Sequence, residues 1–378
     1  MTQQTVRTPD QRHDRLDDIL IVDADVHINE SPAALMPYCD MPWRKSLEVL
    51  AGVPERYLDI PSFSPGGGGY IAPFPGGQTS GRAIDPVQLR AELDALSINI
   101  AILFPDHLLK LPLLPQVDYA AALARAYNAW LVDKWVSPEK GLLGCLVAVP
   151  QDPEDTAREI ARYAKHPGIV GVYLPGAGVD PLWGHAKYDP VFRAAEAADL
   201  PVLLHSVTVI YPVYPWQLQQ FDTEMARHTM GHPFSMMANM VDMLTTGVPV
   251  RFPNLRVGFT EAGVSWVPFI ANRLDKEYLE QRRQVPFLEE RPSHYIRKFH
   301  FSTQPIEEPE NSQDYVDLVK LYHGEESTMF ASDWPHHDFD HPLKLYQMPF
   351  SPEVRRQIFG QNALRFFKID AQARRLSV

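Results

Sequence analysis

The chain has 378 residues, a formal net charge of −12, 45% hydrophobic and 22% charged residues, which excludes the disordered and membrane-spanning classes. Nucleic acid and anionic membrane surfaces are also poor partners, because both recruit clustered Lys and Arg; a small-molecule substrate is expected instead. Cys39 and Cys145, the only two cysteines, cannot build a disulfide framework and show no metal-type Cys-x-x-Cys spacing. A cytoplasmic setting is expected, since the opening MTQQTVRTPDQRHDRLDD lacks the apolar core of a secretory signal.

Residues 1–16 read as a polar tail ahead of a single domain over 17–378. Apolar, strand-like runs then recur at 18–28, 99–105, 141–150, 168–175, 200–206, 255–261, 298–303 and 328–333. Most are continuous rather than alternating, as expected of strands covered on both faces. Segments of helical period lie between them, at 117–136, 153–165, 188–200 and 264–283, several opening on Pro or Asp. Eight repeats of strand then helix predict an α/β fold, a (β/α)8 TIM barrel. The competing open doubly wound sheet lacks a Gly-x-Gly-x-x-Gly turn after its first strand. Two inserts interrupt the alternation, at about 31–85 and 207–250. The first holds the Gly/Pro/aromatic stretch YLDIPSFSPGGGGYIAPFPGGQTSGRAIDP, either a lid or a disordered or oligomer-contacting loop.

Ionisable residues fall at the C-terminal ends of these strands, the face on which barrels of this kind carry their chemistry. Asp25 and His27 close the first strand, His205 the fifth, Glu261 the sixth and Asp333 the eighth. Two carboxylates and two imidazoles form a mixed N/O donor set suited to a divalent ion, and a buried carboxylate demands a cation nearby. Each residue alone would pass as a cap or a satisfied polar group; the conjunction points to a metal. Zinc is expected, with manganese or iron as alternatives. Asp23, one pleat earlier, is expected to support the others through hydrogen bonds. Of the histidines in SDWPHHDFDHP, His336 is taken to touch substrate, with His337 and His341 at the surface. His232, before Pro233, marks an expected helix start, with capping and substrate contact as competing roles.

These residues carry a resemblance. The chain resembles the amidohydrolase superfamily, in the branch related to aminocarboxymuconate-semialdehyde decarboxylase and the resorcylate-type decarboxylases, through DVH (25–27), LLHS (203–206), RFPNLRVGFTEAG (251–263), ASDWPH (331–336) and FGQNALRFF (359–367). The resemblance implies a metal held by Asp25, His27, His205 and Asp333, and a homodimer or higher homo-oligomer. It departs at Glu261, where those decarboxylases place a His. A carboxylate there could take a proton, deliver one, or ligate the metal.

Two reactions fit this set. Hydrolysis of a small cyclic or aromatic carbonyl compound by a metal-activated water is the main expectation, favoured by the exchange of His for Glu261. Catalysis would then rest on Glu261, Asp333 and His232. Non-oxidative decarboxylation of an aromatic or enoic acid is the alternative, and a non-catalytic barrel a distant third, because every expected ligand position is filled. Substrate contacts are expected from His336, Arg44 and Trp216, with Arg251 and Arg273 as further cations. Trp43, Tyr70, Phe74, Tyr211, Tyr214 and Trp266 would serve a ring-shaped substrate or ordinary packing.

Overall fold

The computed structural model describes residues 16, 18–52, 83, 85–207, 220–336 and 338–370. All eight expected strands form: β1 Val22–Ile28, β2 Ile100–Pro105, β3 Leu142–Val147, β4 Ile169–Pro175, β5 Val202–His205, β6 Val257–Thr260, β7 His300–Ser302 and β8 Thr328–Met329. They pair in parallel in chain order. The last strand meets the first through Ala24 N–H to Phe330 O (2.9 Å) and His27 N–H to Trp334 O (2.8 Å). This seam rules out the open sheet and makes a TIM barrel.

Helix starts follow the side chains that satisfy their first N–H groups. Asp152 accepts from Asp155 N–H (2.9 Å) before the helix Pro153–Tyr163, and Asp85 accepts from Val87 and Gln88 N–H (2.9 Å each) before Pro86–Ala95. Between helices and barrel, Phe259, Trp266, Phe299 and Phe301 form one aromatic cluster with ring centroids 5.6–5.9 Å apart. Burying each such side chain contributes on the order of 2–3 kcal/mol, which anchors β6 and β7 beneath the site.

Three local features differ from expectation. Pairing of β1 with β2 shifts register between Asp23 and Val26, so a bulge breaks the strict alternation of Asp23, Asp25 and His27 and re-aims Asp25. Among its described residues, the second insert holds a 22-residue helix, Glu224–Thr245, capped by Thr223. His232 therefore lies inside a helix rather than at its start. Pro233 lies inside this helix, where it gives up one backbone hydrogen bond to the preceding turn. The glycine-rich stretch of the first insert lies outside the described residues, as do Tyr70, Phe74, Tyr211, Tyr214, Trp216 and His337.

Two residues past β1, Glu30 is buried and accepts from Asp106 N–H (2.9 Å) and Leu108 N–H (2.6 Å), stapling the loop after β1 to the loop after β2. Burial pushes its carboxyl up to about 7 from 4.5. A folded-state value above the ordinary one means that this group's stabilisation is complete below about pH 4.5 and is lost as pH rises through about 7. The melting temperature should fall across that window, by an amount that reflects about 3 kcal/mol from this group. Glu30→Gln, which does not titrate, should flatten the fall; an equally steep decline in the mutant would disprove the assignment.

Candidate metal and active site

Asp25, His27, His205, Glu261 and Asp333 converge, buried, at the C-terminal mouth of the barrel. The tautomers of both imidazoles follow from their outer contacts. His27 Nδ1 meets the Pro105 carbonyl oxygen at 2.6 Å and His205 Nδ1 meets the Ser206 carbonyl oxygen at 2.7 Å. A carbonyl only accepts, so each Nδ1 carries the proton and each Nε2 turns a lone pair inward.

Those lone pairs face carboxylate oxygens. His27 Nε2 lies 3.3 Å from Asp25 Oδ1 and 3.1 Å from Asp333 Oδ1, and His205 Nε2 lies 3.2 Å from Asp25 Oδ2. Acceptor against acceptor is repulsive unless a cation sits between. Asp25 Oδ2 and His27 Nε2 are in fact buried without a hydrogen-bond partner. Ligand bonds of ~2.1 Å place neighbouring donor atoms about 3 Å apart, which matches these separations. Asp25, His27 and His205 form one group of potential ligands, and His27, Asp333 and His336 an overlapping one. The residues present fit a divalent ion.

The electrostatics record the same demand. Burial works against the charge of Asp25, yet the His205 and His27 imidazoles hold its carboxyl below the usual range. Burial likewise opposes charge on His27, and Asp25 and Asp333 drive its pKa well up. Asp23 behaves as expected of a supporting residue. It accepts from Asp25 N–H (3.1 Å), Ser332 N–H (2.9 Å) and the Ser332 hydroxyl (2.5 Å), and burial raises it to about 8.

Glu261 and Asp333 both have φ of +61°. Left-handed backbone costs roughly 1–2 kcal/mol in a residue with a Cβ, and such strain collects at functional sites. His232 braces the Glu261 turn by donating from Nδ1 to the Glu261 carbonyl oxygen (2.7 Å). The Glu261 carboxyl is buried, with Oε2 3.2 Å from His205 Nδ1 and 3.7 Å from His232 Nδ1. Burial, then Asp333 and Asp25, push its pKa well above the ordinary value. His232 moves the other way: burial and His228 lower it to about 3, so it is a neutral donor and not an acid.

His336 belongs to the cluster. Its Nδ1 lies 2.8 Å from Asp333 Oδ1 and its ring stacks on His27 at 4.2 Å. Burial opposes its charge, but Asp333 raises it to about 9. Arg44 is not brought in: its Nε donates to the Cys39 carbonyl oxygen (2.8 Å). Arg251 pairs with Asp189 (2.9 Å) and Arg273 with Glu277 (2.8 Å) on the outer helices. His341 caps the helix Pro342–Gln347 through Leu343 N–H (3.1 Å). Trp43 stacks near Tyr119 and Trp266 is core. Sequence reasoning missed Gln304, Asp338 and His228. His228 had a legible signal, since it lies one helical turn before His232.

An α/β barrel with two carboxylates and two imidazoles at its C-terminal mouth defines a metal-dependent barrel enzyme. The chain belongs to the amidohydrolase family, whose model matches residues 115–369. It is 26% identical to gamma-resorcylate decarboxylase of Rhodococcus jostii (strain RHA1) over 282 residues, 68% of this chain and 80% of that protein. The fold is also that of 5-carboxyvanillate decarboxylase from Sphingomonas paucimobilis, with a TM-score of 0.70 at 21% identity over 93% of this chain and 100% of that one. A dihydroxybenzoic acid decarboxylase from Polaromonas sp. JS666, determined with bound manganese and the inhibitor 2-nitroresorcinol, superposes with a TM-score of 0.68 at 16% identity, covering 95% of this chain and 100% of that one.

These relatives correct the hydrolase expectation, because they are decarboxylases of aromatic acids. Glu261 misled for a physical reason: hydrolysis and decarboxylation both need a proton-transferring group beside the metal, so exchanging His for Glu does not separate them. Zinc is likewise not the ion named with the manganese-bound neighbours. Among the described residues, no helix is long and apolar enough to cross a membrane.

Proposed function

We propose that this chain is a manganese-dependent, non-oxidative decarboxylase of a hydroxylated aromatic carboxylic acid. The observation that carries the reading is the pairing of inward-facing lone pairs and carboxylate oxygens on Asp25, His27, His205 and Asp333, beside a buried Glu261 carboxyl raised toward its protonated form. The decarboxylase relatives support it.

Asp25, His27, His205 and Asp333 would hold the ion. When bound, the ion supplies a charged anchor for the substrate's carboxylate and a neighbouring phenolic oxygen. His336, held by Asp333 and stacked on His27, offers its Nε2 to the same end of the substrate. His232 stays neutral and keeps the Glu261 turn in place. In the reaction the bond between ring and carboxyl carbon breaks, CO2 leaves, and the electron pair stays on the ring carbon. Glu261 delivers its proton to that carbon and is reprotonated from solvent. No oxidant or water-derived oxygen enters.

The test incubates manganese-loaded protein with ortho-hydroxylated benzoic acids in deuterated and in 18O-labelled water. CO2 release with one ring deuterium and no 18O in the aromatic product is expected. Incorporation of 18O, or no turnover across such acids, would refute the reading.

A further inference from the structure

Gln304 lies two residues past β7 and is fully buried. Its Nε2 is 3.3 Å from Asp333 Oδ2 and 3.3 Å from Asp338 Oδ2. A primary amide carries two hydrogens on one nitrogen, so a single neutral side chain can donate to both carboxylates. The reverse placement of the amide would set its oxygen against two carboxylate oxygens, which fixes the nitrogen between them. Gln304 Oε1 is then buried without a hydrogen-bond partner. Such an orphan costs roughly 1–3 kcal/mol, so the side chain is a poor device for stability alone.

Beyond Gln304, Asp338 Oδ2 lies 3.3 Å from His228 Nε2. A polar line therefore runs from Asp333, whose side chain is fully buried, to Asp338 and His228, which are 21% and 23% exposed at the rim. It ties together the loops after β7 and β8 and the helix Glu224–Thr245. Carboxylate rotation about Cβ–Cγ is soft, so without a restraint on one oxygen the plane of the Asp333 carboxylate would swing relative to the cluster.

We propose that Gln304 is a positioning residue for Asp333: by holding Oδ2 it turns Oδ1 toward His27 Nε2 and His336 Nδ1, while Asp338 and His228 hold the amide. This rests on the reading of Asp333 as a metal ligand.

The test uses the metal-stripped full chain, titrated calorimetrically with Mn2+ alone, and compares Gln304→Met, of similar volume but without donors, with Asp333→Asn. Gln304→Met should weaken Mn2+ binding about 10- to 100-fold, with the metal-free melting temperature unchanged, which a purely structural residue would not do. Weakening by Asp333→Asn but not by Gln304→Met would overturn the positioning role and leave the ligand reading standing. If Asp333→Asn also binds Mn2+ normally, both fall. Should Gln304→Met fail to fold, Asp338→Ala at the rim carries the same test: weakened binding supports the role and unchanged binding overturns it.

Discussion

Asn in place of Asp25 is expected to abolish metal binding and turnover together. Asp25 lies between His27 Nε2 and His205 Nε2 at 3.3 and 3.2 Å, and both nitrogens present lone pairs because their Nδ1 protons are committed to the Pro105 and Ser206 carbonyls. The wild-type anion needs a cation between itself and these nitrogens, either a metal or, without one, a proton, since Asp25 and Asp333 raise His27 well above its ordinary value. An asparagine can turn its N–H group to an imidazole nitrogen and satisfy the site without an ion. The loss of Mn2+ affinity should exceed the ~10- to 100-fold typical of a partner outside the ligand shell. Melting with and without Mn2+ reads the loss of binding. Mn2+ at 100 times its Kd stabilises the wild type by about 2.7 kcal/mol; the mutant should gain nothing. A mutant that melts lower without metal yet still responds to Mn2+ would show that Asp25 is structural.

The barrel and the side chains that converge at its mouth were legible because each depends on a short-range pattern. A strand buried on both faces reads as a continuous apolar run, and a polar residue that ends such a run, as His205 does, signals the mouth. The bulge at Asp23–Val26 was not legible, since two pairings of β1 against β2 differ by one residue and only tertiary fit selects one. Gln304 was hidden because its role depends on Asp333 and Asp338, 29 and 34 residues further along the chain. For Arg44 the sequence offered only that an anionic substrate asks for a cation, which cannot place the side chain; in the fold its Nε donates to the Cys39 carbonyl oxygen. The reaction itself was the least legible, because one ligand set serves both chemistries and the decision rests on where a single proton goes.

Glu261→Gln isolates that proton. Glutamine keeps the volume and hydrogen-bonding reach of the side chain but cannot release a proton to carbon. Turnover should fall by about 10²- to 10⁴-fold, the usual contribution of a positioned acid, while Mn2+ binding and the metal-free melting temperature stay near wild type. The alternatives are limited by the local electrostatics. His232, lowered to about 3, has no proton to give near neutrality. His336 lies against Asp333 and over the His27 ring, at the end proposed to hold the departing carboxylate. Glu261 sits 3.2 Å from His205, and burial, the largest cause, raises its carboxyl above the ordinary range. Activity that needs this protonated form must decline as pH rises through the raised value, and the decline should be absent from the residual activity of Glu261→Gln. Retained turnover in that mutant with the alkaline limb intact would move the acid to His336 or Asp333. It would also leave Glu261, at φ of +61°, as a strained turn residue whose carboxyl serves the substrate's binding rather than its protonation.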